Sequence, residues 1–140
     1  MKERYNILLI DDEVRRMRAT IDMLRSDNYK VEQISSVQKA YDLLREEPDI
    51  CEIIILDIMM PADGDFDVPE ADLGLRTGFL LLERLKQIPE FQIPIIVLTA
   101  NAAYEEELEG KVAHFFVKPV AYGQLKATIE KLRNSKEVEQ

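Results

Sequence analysis

Short, unbroken apolar runs recur along this chain, and they constrain its fold more than any other feature of the sequence. The clear runs are ILLI at 7–10, IIIL at 53–56, IIVL at 95–98 and FFV at 115–117, and YKVEQI at 29–34 is a fifth, weaker candidate. Short runs rich in Ile and Val are typical of strands in a parallel sheet that is covered on both faces. The sequence therefore predicts five buried strands.

Segments with helical spacing lie between these runs. Each places apolar residues three or four positions apart, which puts them on one side of a helix. The stripes are Val14, Met17, Ile21 and Leu24; Val37, Ala40, Tyr41 and Leu44; Leu81, Leu82, Leu85 and Ile88; and Leu125, Thr128, Ile129 and Leu132. Ser35 or Ser36 is the expected N-cap of the second helix. The final helix is expected to run from near Ala121 to near Arg133, and a weaker helix is predicted at 102–110, where AAYEEELEG offers little apolar surface.

Strand and helix thus alternate five times, which predicts a doubly wound α/β domain with a five-stranded parallel sheet between two helical layers. A chain of 140 residues, 46% of them hydrophobic, suits one domain with one sizeable core. We assign residues 1–134 to this domain, with a long acidic loop at 62–77 after the third strand and a polar tail at 135–140.

Charge and cysteine content narrow the function classes. The net charge of −9 argues against direct binding to nucleic acid or to anionic membranes. Cys51 is the single cysteine, so an intrachain disulfide is excluded and a cytoplasmic location is expected. The apolar run at 7–10 is too short for a membrane span or for the core of a signal peptide.

Polar residues directly follow four of the predicted strands. They are Asp11, Asp12 and Glu13 after ILLI, Asp57 after IIIL, Thr99 after IIVL and Lys118 after FFV. Because the carboxyl ends of parallel strands share one edge of a sheet, we expect these side chains to converge where such folds bind ligands.

The chemistry of that cluster favours phosphoryl transfer. Asp11, Asp12 and Asp57 would repel one another unless a cation lies among them, and their hard oxygen ligands suit Mg²⁺. A carboxylate beside Mg²⁺ can attack a phosphoryl group and form an acyl phosphate. The metal, the Lys118 ammonium and the Thr99 hydroxyl would then contact the phosphoryl oxygens.

Four motifs in this order and spacing resemble the receiver domain of two-component response regulators, the family that includes the chemotaxis regulator. They are IDDE at 10–13, LDIMMP at 56–61, TA at 99–100 and KP at 118–119. The resemblance covers nearly the whole chain. It implies a (βα)5 flavodoxin-like fold and a signalling domain that accepts a phosphoryl group by self-catalysed transfer, not an enzyme.

The resemblance also implies a role for each matching residue. Asp57 corresponds to the phosphorylated aspartate. Asp11 and Asp12 correspond to the acidic pair that positions Mg²⁺ together with Asp57 and the backbone carbonyl of Met59. Lys118 corresponds to the lysine of the family.

A switch and a set of partners are implied in the same way. Thr99 and Phe115 correspond to the switch pair, in which the hydroxyl moves toward the phosphoryl group and the aromatic ring turns inward. The donor would be the phosphohistidine of a sensor histidine kinase or of a histidine phosphotransfer protein. Output would be binding to a downstream protein target, with a homodimer through the face around 102–134 as a further option.

The loop between Pro61 and Gly78 departs from the family pattern because it is long and acidic, with the sequence ADGDFDVPEADLGLRT. It fails the EF-hand template, since Val68 and Gly74 stand where that template requires Gly and Glu. We consider a solvated flexible loop, a dedicated metal site and a partner-selecting element, and our hypothesis is that the loop overhangs the Asp57 pocket and modulates kinase access.

Several residues outside the motifs receive more limited interpretations. Met59 and Asn101 flank the path of the water that would hydrolyse an acyl phosphate, and neither suits activation of that water, so slow autodephosphorylation is expected. His114 is expected to have a packing or surface role, and Cys51 is expected to be a small buried apolar residue.

Two other functions are alternatives to the interpretation of the chain as a phosphoacceptor. A receiver-like interaction module that is not phosphorylated remains the main alternative. A phosphohydrolase or nucleotide-binding enzyme is disfavoured because no P-loop is present and Ile58–Met59 follow Asp57 without a second aspartate. Whether the chain acts alone or within a longer protein is left open.

Overall fold

Five parallel strands form the centre of the computed structural model, which describes residues 3–138. The strands are β1 (Tyr5–Ile10), β2 (Val31–Ile34), β3 (Cys51–Leu56), β4 (Ile95–Thr99) and β5 (His114–Val117). Their order is β2-β1-β3-β4-β5, and every neighbouring pair is parallel. The predicted doubly wound, flavodoxin-like sheet is therefore confirmed, with its topological switch point between β1 and β3.

Helices follow the strands on both faces of the sheet. They are α1 (Val14–Ser26), α2 (Val37–Glu46), α3 (Thr77–Leu85), α4 (Glu105–Leu108) and α5 (Tyr122–Val138), with 3-10 turns at Gly64–Phe66, Pro69–Gly74 and Ala102–Tyr104. The N-cap of α2 is Ser36, whose side chain accepts a hydrogen bond from the backbone N–H of Lys39. We call residues 102–108 the α4 segment.

Two apolar clusters cover the two faces of the sheet. Ile54 and Leu56 of β3 point into the cluster that contains α2 and α3, whereas Ile53 and Ile55 point into the cluster that contains α1 and α5. Because both faces of β3 are covered, the strand is apolar at consecutive positions. Burial of each such side chain contributes about 1.5–3 kcal/mol.

The ends of three helices differ from the prediction. Val14 begins α1 but is 52% exposed, so it lies outside the buried stripe formed by Met17, Ile21 and Leu24. Ile88 is buried although α3 has already ended. The predicted helix at 102–110 contains a 3-10 turn followed by the four residues of α4.

The final helix continues to Val138 instead of ending near Arg133, because no Gly or Pro interrupts the sequence there. The predicted polar tail at 135–140 thus lies partly within α5, and residues 139–140 fall outside the described part of the chain. Among the described helices, none is both long and apolar enough to span a membrane.

The segment between β3 and α3 is folded, which corrects its interpretation as a solvated flexible loop. We call residues 62–76 the insertion, since Thr77 already belongs to α3. Its Phe66 is fully buried and stacks edge-on against Tyr41 of α2 at 5.6 Å between ring centroids. The Arg84 guanidinium of α3 lies 4.1 Å from the centre of the Phe66 ring.

Polar contacts fasten the first half of the insertion to α2 and α3. The Asp63 carboxylate accepts hydrogen bonds from the Ser36 hydroxyl and from the backbone N–H of Gln38, the latter at 3.1 Å. The Arg84 side chain donates to the backbone carbonyl of Asp65 at 3.0 Å. The insertion is therefore part of the folded domain, and Phe66 is a core residue.

Candidate functional site

Three carboxylates meet at the carboxyl edge of the sheet. Asp11, Asp12 and Asp57 each offer an oxygen within 4.8 Å of the others. The strand register explains this arrangement, because Ile10 and Leu56 are paired across β1 and β3 and the two buried aspartates directly follow them. The backbone N–H of Asp57 also donates to the Ile10 carbonyl at 3.0 Å, which fixes the start of the loop.

Lys118 supplies the positive charge of the cluster from the end of β5. Its ammonium donates to Asp11 Oδ2 at 2.9 Å, to Asp57 Oδ2 at 3.0 Å and to Glu13 Oε2 at 3.2 Å. Its backbone N–H donates to the Thr99 carbonyl at 2.8 Å, so the ends of β4 and β5 are tied together. Glu13 was expected to converge with these residues but was not predicted to bind metal or to contact Lys118.

The environment of the pocket raises the pKa of two of these carboxylates, Asp57 and Asp12. Burial raises the pKa of Asp57 above its usual value, although hydrogen bonds from Lys118 oppose the rise. Burial raises the pKa of Asp12 as well, and the charges of Asp11 and Glu13 add to the effect. Burial lowers the pKa of Lys118, but its bonds to Asp11 and Asp57 outweigh this and leave it above the usual value. Three carboxylates therefore face a single ammonium, which cannot neutralise all of them when they are ionised.

The donor set of this acidic pocket fits a hard divalent cation. Asp11 is 1% exposed and Asp57 is 4% exposed, so their charge repulsion is weakly screened by water. Carboxylate oxygens at this separation suit Mg²⁺, which binds through one or two carboxylates and retains waters. The backbone N–H of Met59 donates to Asp57 Oδ1 at 3.0 Å, which places the Met59 backbone beside the cluster.

Thr99 and Phe115 lie on neighbouring strands but outside the ionic cluster. Thr99 ends β4, is fully buried, and has a hydroxyl oxygen with no hydrogen-bond partner among the described residues. Such a group costs about 1–3 kcal/mol. Phe115 lies on β5, is half-buried, and lines a surface cavity of about 680 Å³ together with residues of the α4 segment such as Leu108.

Three other residues singled out in the sequence lie apart from this chemistry. The Asn101 side chain accepts a hydrogen bond from the backbone N–H of Ala103 at 2.9 Å, so it caps the turn at the start of the α4 segment. His114 is exposed and its ring lies 4.4 Å from that of Phe116. Cys51 is buried, and burial raises the pKa of its thiol to about 12. The expected surface and packing roles of His114 and Cys51 are confirmed.

Comparison with known protein families identifies the domain. The family model for the response regulator receiver domain matches residues 7–130. The two-component response regulator ARR12 of Arabidopsis thaliana is 30% identical over 124 residues, which are 86% of this chain and 18% of that protein. The two-component response regulator ORR22 of Oryza sativa subsp. japonica is 30% identical over 132 residues, which are 91% of this chain and 16% of that protein. The chain thus spans less than a fifth of these curated relatives.

Solved structures share the fold at lower identity. A CheY-like response regulator receiver domain protein from Methanospirillum hungatei JF-1 superposes with a TM-score of 0.74 at 21% identity, covering 99% of this chain and 100% of that one. The receiver domain of the sensor histidine kinase PA1611 from Pseudomonas aeruginosa PAO1 superposes with a TM-score of 0.69 at 20% identity, covering 92% and 97%. That structure has a magnesium ion coordinated in its active site cleft.

The family match extends from within β1 into α5, and it therefore includes residues of every strand and every residue of the acidic cluster. Members of this family act as phosphoacceptors in signalling and interact with histidine kinases or phosphotransfer proteins. The chain belongs to the response regulator receiver domain family of two-component systems.

Proposed function

We propose that this chain accepts a phosphoryl group on Asp57 from the phosphohistidine of a sensor histidine kinase or a histidine phosphotransfer protein. A carboxylate oxygen of Asp57 attacks the phosphorus, the P–N bond of the donor breaks, and the donor imidazole leaves with the electron pair. The observation that carries the proposal is the 3.0 Å contact between Asp57 Oδ2 and the Lys118 ammonium at the tip of a buried strand. That contact holds the nucleophile in one orientation.

Asp11, Asp12, Asp57 and the backbone carbonyl of Met59 are the proposed ligands of Mg²⁺. When bound, the ion neutralises charge on the phosphoryl oxygens. The excess negative charge of the pocket supports this assignment, as does the magnesium ion in the structurally similar Pseudomonas receiver domain. A lone free thiol at Cys51 fits a cytoplasmic setting for the reaction.

We infer that Thr99 and Phe115 transmit the modification. The buried Thr99 hydroxyl, which has no partner among the described residues, would gain one by donating to a phosphoryl oxygen. Movement of Thr99 would leave space that the half-buried Phe115 ring can fill. The cavity beside Phe115 and the α4 segment would change shape, and this surface would then bind a downstream protein target or a second copy of the chain.

The alternative of an unphosphorylated interaction module is weaker. Asp57, Lys118 and Thr99 are all retained, and the ionic contacts that orient Asp57 serve no evident purpose in a surface used only for docking. We also expect slow autodephosphorylation, because Met59 cannot orient a water molecule and the Asn101 side chain is engaged as a cap.

The proposal is tested by incubating the protein with acetyl phosphate and Mg²⁺ and measuring its intact mass. We expect the mass increase of one phosphoryl group on the unaltered chain and none on Asp57→Asn. Asp67→Asn, which removes an exposed carboxylate of the insertion, is the control and should be labelled normally. Equal labelling of Asp57→Asn, or equal labelling when Mg²⁺ is chelated before acetyl phosphate is added, would contradict the proposal. Decay of the label within seconds would contradict slow autodephosphorylation.

A further inference from the structure

We propose that the insertion is a brace on the α4 segment, and that it opposes the rearrangement that follows phosphorylation of Asp57. This proposal rests on the proposed function. It concerns the C-terminal end of the insertion, where Leu75 and Arg76 reach across to Tyr104 and Glu107.

The first contact is a hydrogen bond between a buried tyrosine and the backbone of the insertion. The Tyr104 hydroxyl donates to the Leu75 carbonyl at 2.6 Å. The ring of Tyr104 also packs edge-on against Phe79 of α3, with 5.1 Å between ring centroids. Tyr104 is only 9% exposed, so this contact is shielded from competing water.

The second contact is a two-point ion pair. Both terminal nitrogens of the Arg76 guanidinium donate to the two carboxylate oxygens of Glu107, one of them at 3.2 Å. The hydrogen bond from Arg76 lowers the pKa of Glu107. The guanidinium carbon also lies 4.1 Å from the centre of the Phe79 ring, which restricts the orientation of the Arg76 side chain.

These contacts connect the α4 segment to a part of the insertion that is held in place by the rest of the domain. Gly74 has a left-handed backbone, with φ of +94°, and lies so close to Met60 that an added Cβ would be 3.1 Å from its carbonyl oxygen. The Thr77 hydroxyl donates to that same carbonyl at 2.6 Å. At the other end of the insertion, Phe66 is fully buried. The insertion is therefore held on both sides of the residues that contact Tyr104 and Glu107.

The α4 segment has little stability of its own. Its α-helical part has only four residues, and three of them are the consecutive glutamates 105–107. Helices this short are not stable alone. Only Tyr104 and Leu108 of this segment are buried, so the contacts with Leu75 and Arg76 form a large share of what holds it.

The α4 segment begins three residues after Thr99, so a movement of Thr99 acts directly on it. The two equilibria are linked, so contacts that form only in the arrangement without a phosphoryl group weaken the binding of a phosphoryl group. Loosening the brace should therefore tighten binding of a phosphoryl analogue to the Asp57 pocket, although the altered residues belong to another surface.

The test is titration with beryllium fluoride and Mg²⁺, an acyl phosphate analogue, followed by amide resonances in NMR spectra. Tyr104→Phe keeps the ring on Phe79 but removes the hydroxyl, and Arg76→Gln removes the ion pair. Each should lower the Kd for the analogue about two- to fivefold. Without ligand, each should also speed amide hydrogen exchange in residues 102–108.

Two matched variants serve as controls. Arg133→Gln breaks an ion pair with Glu52 in which the side chains are 37% and 35% exposed, close to the 34% and 41% of Arg76 and Glu107. Tyr122→Phe removes a tyrosine hydroxyl that donates to Asp27 on another part of the surface. Neither should change the Kd or the exchange of residues 102–108.

The outcomes separate this proposal from the proposed function. Unchanged or weaker analogue binding by Tyr104→Phe and Arg76→Gln, while the unaltered chain binds, would overturn the brace. Failure of the unaltered chain to bind the analogue would contradict the proposed function. The exchange comparison needs no ligand, and unchanged exchange in residues 102–108 would overturn the brace by itself. Glu107→Gln provides a second break of the ion pair if Arg76→Gln does not fold.

Discussion

The Lys118 ammonium lies 3.0 Å from Asp57 Oδ2, although the two residues are 61 positions apart in the chain. The same ammonium contacts Asp11 and Glu13, so one cation at the end of the edge strand β5 contacts carboxylates that follow the interior strand β1. The raised pKa values of Asp57 and Asp12 indicate that Lys118 does not fully offset the cost of burying this much negative charge.

Asp57→Asn should stabilise the fold at pH 7 in the absence of divalent cations. The substitution keeps the size of the side chain but removes a buried charge whose ionised form the fold disfavours. We expect the free energy of unfolding in urea to rise by about 1 kcal/mol. Mg²⁺ should stabilise the unaltered chain more than the variant. A variant that is less stable than the unaltered chain in EDTA would show that Lys118 compensates Asp57 completely.

Phe66→Ala should be severely destabilising, although Phe66 lies in an acidic stretch. Its ring is fully buried between Tyr41 and Arg84, and loss of such a ring costs about 3–5 kcal/mol. Leu73→Ala is the control, because Leu73 is fully exposed and should change the free energy of unfolding by no more than about 0.5 kcal/mol. Equal effects in thermal or urea unfolding would mean that the insertion is not part of the core.

The burial of Phe66 limits what a deletion of the insertion can show about kinase access. Deletion of residues 62–77 would remove a core side chain along with any surface contact. A change of phosphorylation rate in that deletion would therefore not test whether the insertion controls kinase access. Leu73→Ala leaves the core intact and is the better variant for that hypothesis, which stays a prediction.

Gly78→Ala should destabilise the junction between β3 and α3. An added Cβ would lie 2.6 Å from the Cα of Ile58, which is backbone and cannot turn aside. The backbone N–H of Gly78 donates to the Ile58 carbonyl at 2.8 Å, so the two backbone segments cannot move apart without losing that hydrogen bond. We expect a loss of about 1–3 kcal/mol in the free energy of unfolding.

The matched control is Gly123→Ala in α5. Nothing lies within 4 Å of an added Cβ at Gly123, and alanine favours a helix more than glycine does. This variant should gain about 0.5 kcal/mol. Because Gly78 lies next to the loop that carries Asp57, Gly78→Ala should slow labelling by acetyl phosphate, whereas Gly123→Ala should not.

The contribution of Asp63 to stability should depend on pH. Burial acts to raise its pKa, but hydrogen bonds from Ser36 and from the backbone of Gln38 outweigh it and lower the pKa below 3.8. A lowered folded-state pKa gives stability that is present above pH 3.8 and is lost as the pH falls through the folded value.

Asp63→Asn should therefore cost about 0.5 kcal/mol at pH 7, a small value because Asp63 is exposed to solvent. The difference from the unaltered chain should shrink as the pH approaches 3, and urea unfolding at several pH values measures it. A difference that is constant between pH 7 and pH 3 would mean that the charge of Asp63 contributes nothing.

The sequence predicted the sheet and most of the candidate site because both depend on strand order. Continuous apolar runs marked the buried strands, and the parallel arrangement then brought Asp11, Asp57 and Lys118 to one edge. The buried stripe of α1 and the N-cap at Ser36 follow local rules that depend little on the rest of the fold.

Other features depend on contacts that a linear pattern does not reveal. The acidic composition of the insertion did not indicate that Phe66 is buried, because its burial requires a pocket made by α2 and α3. The side chain of Asn101 was interpreted from its nearness to Thr99, but the adjacent backbone N–H of Ala103 is the group that it binds.

The position of Lys118 after β5 has one more consequence. Both end residues of β5 are exposed and its middle two are half-buried, whereas five of the six residues of β3 are buried. Local opening of a sheet starts at its margins, so a brief excursion of β5 would withdraw the ammonium while the aspartates stay where they are. We therefore expect the side of the pocket that carries Lys118 to open more readily than the side that carries Asp11 and Asp57.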